Sequence, residues 1–580
     1  MTRSSNASRR WGETLMAELL IRNGYVFDPL NGIEGEKIDI SIRDGKIVEK
    51  VSRKARVLDV SGMTVMPGGV DIHSHIAGSK ANCARMMRPE DHWRDPEPKT
   101  KYTRSGVGHT IPSVFTTGYR YARMGYTTVF EPATPPLKTR HTHEELNDIP
   151  IIDKGCFPLL GNNWFVMEYV KQGRIDELAA YVAWMLKATK GYAIKIVNPG
   201  GIEAWRWGRN LRHLDDKVPN FDVTPREIVR ALCQVNKILN LPHAVHIHPN
   251  GLSEPGNYQT TLDTMDCVHD IQRESGPTMH VTHAQFTGRK GWSWADVRSG
   301  APEIADYVNT HDHVSIDMGQ LVFTNVTWMT ADGPAMFALF KFSKTKWFNA
   351  DVESETGAGV VSATYKKSNY VNAIQWGIAL ELALLVKDPW KIYLTTDHPN
   401  GGPFTAYPRV ISWLVSREAR QRVIDKINKT ARRRLDLPGI DREYSLHEIA
   451  TITRAATAKS LGLGCKGQLG AGADADIAIY SIEPRKIDPA KDYKAVRKAF
   501  ASAAFTVKDG RIVVKNGEVV RSVQGRTFWT KPEVSEGIMK TVTSDLERKF
   551  DDYYTVRMAN YPIEERYLTS SQAITTRGDV

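Results

Sequence analysis

Eight short apolar strands, each followed by a helical stretch, recur along this chain. The strands are predicted at 65–75, 127–131, 157–161, 192–197, 244–248, 278–283, 314–318 and 392–397. The intervening helical patterning is clearest at 166–189 and 224–239. Such alternation calls for parallel strands, because each helix carries the chain back to where the next strand must start. Eight units predict an α/β fold built on a (β/α)8 TIM barrel, whose chemistry sits at the C-terminal ends of its strands.

The two ends of the chain follow a different pattern. Short alternating strands at 19–21, 25–27, 38–42, 47–51 and 56–60 are matched by others at 476–480, 505–508 and 511–514. Asn23-Gly24, Asp44-Gly45, Asp509-Gly510 and Asn516-Gly517 mark the turns between them. Isolated short strands cannot bury a face alone, so the two segments are expected to form one small β-sandwich. The predicted organisation is a disordered extension over 1–18, sandwich strands over 19–66 and the barrel over 67–440. The last barrel helix and the rest of the sandwich take 441–526, and a polar tail suited to gripping a neighbour takes 527–580. The stretch at about 324–371 exceeds a normal connection and reads as an insertion at the barrel mouth.

Charge and cysteine content narrow the partners. The net charge is +11 and the pI about 9.1, yet the basic residues are scattered rather than gathered in a stripe. A polyanionic small molecule or an acidic partner protein therefore fits better than nucleic acid. The five cysteines form no C-x-x-C pair, which argues against an iron–sulfur cluster within the chain and suits a reducing cytoplasm. No apolar run reaches the length of a membrane span.

Polar residues fall where a barrel would do chemistry. The first barrel strand runs into Asp71-Ile72-His73-Ser74-His75. Side chains alternate along a strand, so His73 and His75 share a face, as one metal ion requires. The competing reading is a pair of polar strand-end histidines with structural partners. Strand four carries Lys195 among apolar neighbours, and strand five carries His246 and His248 on one face, with His243 off it. Strand six offers His280 and the more C-terminal His283, and strand eight ends in Asp397. A desolvated lysine loses its proton, and a neutral amine can add carbon dioxide to become a carbamate, an anionic ligand able to bridge two metals. A lysine satisfied by a buried carboxylate is the alternative. Nitrogen and oxygen donors without thiolates favour two zinc ions, with His73, His75, carboxylated Lys195, His246, His283 and Asp397 as ligands. His248, Arg88, Arg120, Asn325 and Arg409 are candidates for substrate contacts, arginine being suited to bidentate carboxylate binding.

This ligand order resembles the amidohydrolase superfamily, in the branch with hydantoinases and dihydroorotases. Longer stretches at 66–77, 87–91, 117–122, 161–169, 188–192, 330–334 and 395–409 are similar to the A-subunit family of formylmethanofuran dehydrogenases. That resemblance implies an amidase that interconverts formylmethanofuran with formate and methanofuran. It also implies partner subunits: one holding a tungsten or molybdenum pterin, and others holding iron–sulfur clusters. Asp397 would then serve as general base and acid. Three rival readings follow: the hydrolytic component of a formyltransferase/hydrolase complex releasing formate, a stand-alone hydantoinase-like cyclic amidase, and a scaffold that has lost its metal.

Overall fold

A computed structural model describes residues 18–349 and 359–580. The expected extension over 1–18 lies, apart from Glu18, outside the described residues. Eight parallel strands carry the centre of the chain. They are β1 (Gly69–Asp71), β2 (Tyr126–Thr134), β3 (Asp153–Pro158) and β4 (Lys195–Val197), then β5 (Val245–His248), β6 (Met279–Val281), β7 (Val314–Asp317) and β8 (Ile392–Tyr393). β1 to β3 pair in order, as do β4 to β8. Two isolated parallel bridges join the sets, Leu159 with Lys195 and Ser74 with His398. This is a TIM-barrel-type α/β fold.

The strand expected over 65–75 is two strands. Thr64–Pro67 belongs to another sheet, and β1 begins after Gly68. The glycine pair allows this change of sheet. A Cβ on Gly68 would lie 2.2 Å from Thr127 Oγ1, and one on Gly69 would lie 2.6 Å from the Tyr126 ring. Only a bare backbone can pass so close to β2. The helical stretch expected over 166–189 is likewise broken, into Trp164–Lys171 and Ile175–Thr189. Gly173 sits between them at φ +69°, a left-handed conformation that ends a helix. Pro225–Ile238 starts cleanly because Thr224 and Glu227 form a reciprocal capping box with a proline in the first turn.

The terminal segments interleave. Thr64–Pro67 pairs with Tyr25–Asp28 on one side and Ile477–Tyr480 on the other, inside a seven-stranded sheet. A four-stranded sheet shares its core, with Ile21, Ile42 and Val65 packing among Ile477, Ile479 and Val507. The Asp44-Gly45 and Asp509-Gly510 turns both have positive φ at each residue, as tight hairpins require.

Where the sheets meet the barrel, Lys466 is buried between Asp153, Asp474 and Asp476. Lys508 and Arg526 complete this network. For Asp153 and Asp474 burial, which opposes ionisation, is outweighed by the surrounding cations. Asp153 and Asp474 are held well below the usual carboxylate range, chiefly by Lys466.

The stretch expected as a polar tail folds back onto the barrel. Thr527–Glu533 and Ser571–Arg577 pair with each other in parallel, and Thr527 bridges to Lys154 of β3. The helix Glu536–Tyr553 between them buries Val542, Leu546 and Phe550 in the main core. Aromatic residues at 528, 529, 550 and 554 supply the apolar surface that a tail would lack. The insertion also has structure of its own, with Asn325–Thr330, Trp347–Asn349 and Gly359–Thr364 forming a small antiparallel sheet beside the helix Gly333–Ser343. No helix among the described residues is long and apolar enough to cross a membrane.

Candidate metal centre

The C-terminal ends of the strands meet the insertion around a cavity of about 260 Å³. His73, His75, Lys195, His248, His283 and Asp397 all line it. His246 lies against the same group, its Nε2 2.8 Å from His73 Nδ1. Each of these residues is nearly or wholly buried.

His73 and His75 follow β1 and face Asp397, with His73 Nε2 3.0 Å and His75 Nε2 3.4 Å from Asp397 Oδ1. Lys195 starts β4 and is in register with His246 of β5. His283 and Asp397 stand just past their strands with φ of +36° and +48°. Left-handed angles are uncommon for non-glycine residues away from tight turns and helix ends. In both cases the left-handed turn holds the side chain at the strand end.

Partners behind the rings fix their protons. Glu131 Oε1 lies 2.9 Å from His75 Nδ1, so that nitrogen carries the hydrogen and Nε2 faces the cavity bare. The Ser460 carbonyl can only accept, and it lies 2.7 Å from His243 Nδ1. His243 Nε2 is therefore an acceptor for His246 Nδ1–H at 3.0 Å, which leaves His246 Nε2 unprotonated. Burial, reinforced by Lys195, pushes His73 and His246 well below the usual histidine range. Burial does the same to His283, helped by His248. These rings are neutral at physiological pH, the form that binds a cation.

Lys195 carries no carboxylate partner within ion-pair distance among the described residues. Its Nζ has only Thr282 Oγ1 at 3.5 Å. Burial pushes the amine down to about 7, and Asp397 and Asp317 only partly oppose that. The Asp397 carboxyl is pushed up by burial, against the support of His75 and of Asn400, which donates to Oδ2 at 2.9 Å. His73 Nε2, His283 Nδ1 and Asp397 Oδ1 are buried with no hydrogen-bond partner. Buried lone pairs such as those of His73 Nε2 and Asp397 Oδ1, 3.0 Å apart, are costly unless a proton or a cation joins them. The donor set, imidazole nitrogens with carboxylate oxygen and no sulfur, fits a divalent metal centre. Among the described residues two groups of ligand atoms at this site lie close enough to hold an ion, one from His73, His75 and Asp397, the other from His73, His246 and Asp317; a third, Asp153, Asp474 and Asp476, surrounds Lys466 instead. Neither group at the site includes His283.

Four of the expected substrate contacts lie elsewhere. Arg88 donates to the Val326 carbonyl and Thr327 Oγ1, tying the insertion down. Arg120 donates to the carbonyls of Gly108 and Asp95. Asn325 accepts from Thr364 across the insertion sheet, and Arg409 lines a separate groove. Backbone carbonyls claim the first two guanidiniums, a competition that residue type alone does not reveal. His248 does face the cavity, its Nε2 3.0 Å from Asp332 Oδ2 of the insertion.

Several residues of the site were not picked out from the sequence. Asp317, at the end of β7, accepts from the His283 amide at 2.9 Å and from Thr395, with His280 Nε2 at 3.1 Å. Glu131 in β2 holds His75, and Asn400 steadies Asp397. A carboxylate inside or at the end of an otherwise uncharged strand is the signal that could have found Glu131 and Asp317.

Beyond the polar end, Phe286, Trp294, Trp328, Met336, Leu339 and Phe342 wall the cavity. It can thus admit a substrate with an apolar body and present a polar reacting end to the buried ligands.

A model of the Amidohydrolase family matches residues 56–514. The chain is 52% identical over 564 residues to Protein FwdA of Methanocaldococcus jannaschii, an alignment covering 96% of this chain and 98% of that protein. It is 34% identical over 552 residues to FhcA, the first component of the formyltransferase/hydrolase complex Fhc of Methylorubrum extorquens, covering 93% and 97%. A chain of the formyltransferase/hydrolase complex FhcABCD from Methylorubrum extorquens, crystallised with methylofuran, superposes with a TM-score of 0.87 at 32% identity. That superposition covers 97% of this chain and 100% of the other.

Proposed function

Since this chain belongs to the amidohydrolase family, we propose that it is the hydrolytic subunit of a formylmethanofuran dehydrogenase. It interconverts N-formylmethanofuran with formate and methanofuran inside a multi-subunit complex. The observation that carries the reading is the meeting of His73, His75 and Asp397, whose ligand atoms lie close enough to share one ion, beside the buried Lys195, which has no ion-pair partner among the described residues. The identity to FwdA and the methylofuran in the related complex support the choice of substrate.

We read the metal as two zinc ions held by His73, His75, Lys195 as its carbamate, His246, His283 and Asp397. Such a centre supplies an activated water at neutral pH and polarises the formyl carbonyl. The chain's own groups do the rest. Asp397 Oδ1 takes the proton of the attacking water and returns it to the amine nitrogen as the formamide C–N bond breaks. Asn400 holds the other carboxylate oxygen, so that Oδ1 stays directed at the reacting atoms. Run in reverse, the same transfers condense formate with a primary amine. His248, held by Asp332, is placed to contact the substrate. The apolar walls exclude bulk water and strengthen each of these contacts.

The fold is read as a (β/α)8 barrel carrying a β-sandwich made from both terminal segments, with the outer face of residues 527–580 meeting partner subunits. Those partners supply the tungsten or molybdenum pterin and the iron–sulfur clusters. The five unbridged cysteines support a cytoplasmic setting. The hydrolytic component of a formyltransferase/hydrolase complex is the nearest rival, and the higher identity to FwdA disfavours it.

Formate release from N-formylmethanofuran, measured beside metal content, tests the proposal. About two zincs per chain with release that vanishes in Asp397→Asn is the expected result. Folded protein with neither metal nor release would overturn it. Co-purification of a pterin-bearing protein separates the two complexes.

A further inference from the structure

The insertion reaches the reacting end of the cavity through one carboxylate. Asp332 lies between the strand Asn325–Thr330 and the helix Gly333–Ser343, whose Met336, Leu339 and Phe342 wall the cavity. Asp332 is buried, and both of its oxygens are engaged. Oδ1 accepts from the Ala335 amide at 3.1 Å, which caps the helix, and from Asn198 Nδ2 at 3.1 Å. Oδ2 accepts from His248 Nε2–H at 3.0 Å.

These contacts decide where the hydrogen of His248 sits. A carboxylate only accepts, so Nε2 carries the hydrogen and Nδ1 is left with the lone pair. The buried ring lines the cavity edge-on to His283, their centroids 4.9 Å apart, so that lone pair is the one within reach of a bound substrate. A scissile formamide made from a primary amine brings one N–H to the same place.

We propose that Asp332 is a positioning residue that fixes His248 Nδ1 as the acceptor for this N–H. The site thereby selects secondary formamides in hydrolysis and primary amines in condensation. The inference rests on the hydrolase reading above and adds the atom that sets its specificity. A nitrogen gripped by its hydrogen presents its other side to Asp397, which returns the proton as the C–N bond breaks. Selection of this kind is steep, because a substrate without the hydrogen leaves a buried acceptor unpaired.

Formate release from N-formylmethanofuran and from its N-methylated counterpart tests this, in the full-length, metal-loaded protein and in Asp332→Asn. In that variant the donors on Oδ1 keep the amide oxygen where it is, so the amide nitrogen faces His248. The ring must then accept at Nε2 and carry its hydrogen on Nδ1. The unaltered protein is expected to prefer the N–H substrate about 100-fold in kcat/KM, and Asp332→Asn less than about tenfold, the loss falling on the N–H substrate. A preference undiminished in Asp332→Asn would mean that shape rejects the methyl group, and it would overturn the proposal. Equal use of both substrates by the unaltered protein would overturn it too. Release from neither substrate is a different result and would overturn the hydrolase reading with it. Should Asp332→Asn lose metal or unfold early, His248→Phe decides by the same ratio. Collapse of the preference supports the acceptor, and its persistence rejects it.

Discussion

His246 donates from Nδ1 to His243 Nε2 over 3.0 Å, and the donation can run only in that direction. The Ser460 carbonyl behind His243 takes the proton on its other nitrogen, so the pair keeps His246 Nε2 unprotonated, an acceptor for His73 Nδ1–H at 2.8 Å or for a metal. His243→Phe would keep the buried volume and remove the acceptor. We expect metal affinity to fall about 10- to 100-fold, as for other partners of metal-binding histidines. Zinc retention against a graded chelator series measures this. Retention equal to that of the unaltered protein would show that His243 merely fills space.

Asp397 is expected to matter more for turnover than for folding. Asp397→Asn preserves shape and can still accept from Asn400, yet it cannot take up a proton. Formate release should drop by a factor of about 10² to 10⁴, with the thermal unfolding temperature little changed. A drop below about tenfold would remove Asp397 from the proton transfer.

Lys195 sets a pH dependence on assembly of the site. Carbon dioxide adds only to the neutral amine, and burial brings the Lys195 amine down to about 7. Below that value the group is protonated and inert, and above it the group is reactive. Apo protein given zinc and bicarbonate should regain metal about tenfold faster near pH 8 than near pH 6. Lys195→Ala should not regain it under either condition. Equal rates at both pH values would argue against a carbamate.

Lys466 is the buried cation that three aspartates share. Lys466→Met would strand their charge and is expected to destabilise the protein by about 3–5 kcal/mol, read from denaturant unfolding. The acid side carries a sign. Asp153 and Asp474 have folded values below those of the unfolded chain, so their contribution is complete above about pH 5. It is lost as the pH falls past about 4 toward those lowered values. The variant should therefore unfold at a higher pH than the unaltered protein during acid titration. An unshifted acid midpoint would mean that Lys508 and Arg526 suffice.

The parts of the site that could be read from sequence obey a period. His73 and His75 two residues apart, and Lys195, His246, His283 and Asp397 near strand ends, follow from alternation along strands and from where barrels place chemistry. Residues whose role depends on a neighbour distant in sequence were not legible in that way. Glu131 looks like a strand acid until His75 is seen against it, and Asp317 until it is seen holding His280 and the His283 amide. Arg88 and Arg120 carry the residue type expected of a carboxylate grip, but backbone carbonyls claim them first. The fold behaves similarly. The eight strands and the D-G hairpins announced themselves through local pattern, whereas the parallel pair formed by 527–533 and 571–577 is held together by partners far along the chain.

The strand Thr64–Pro67 is completed by Ile477–Tyr480, and Thr64 Oγ1 reaches the Ile482 carbonyl across a separation of 418 residues. During synthesis this sheet stays open on one edge until most of the chain has left the ribosome. Its N-terminal strands must wait, with exposed edges prone to pairing with other chains. Assembly of this protein is therefore expected to depend on chaperones that shield nascent strands, and on uninterrupted translation through the last barrel helix.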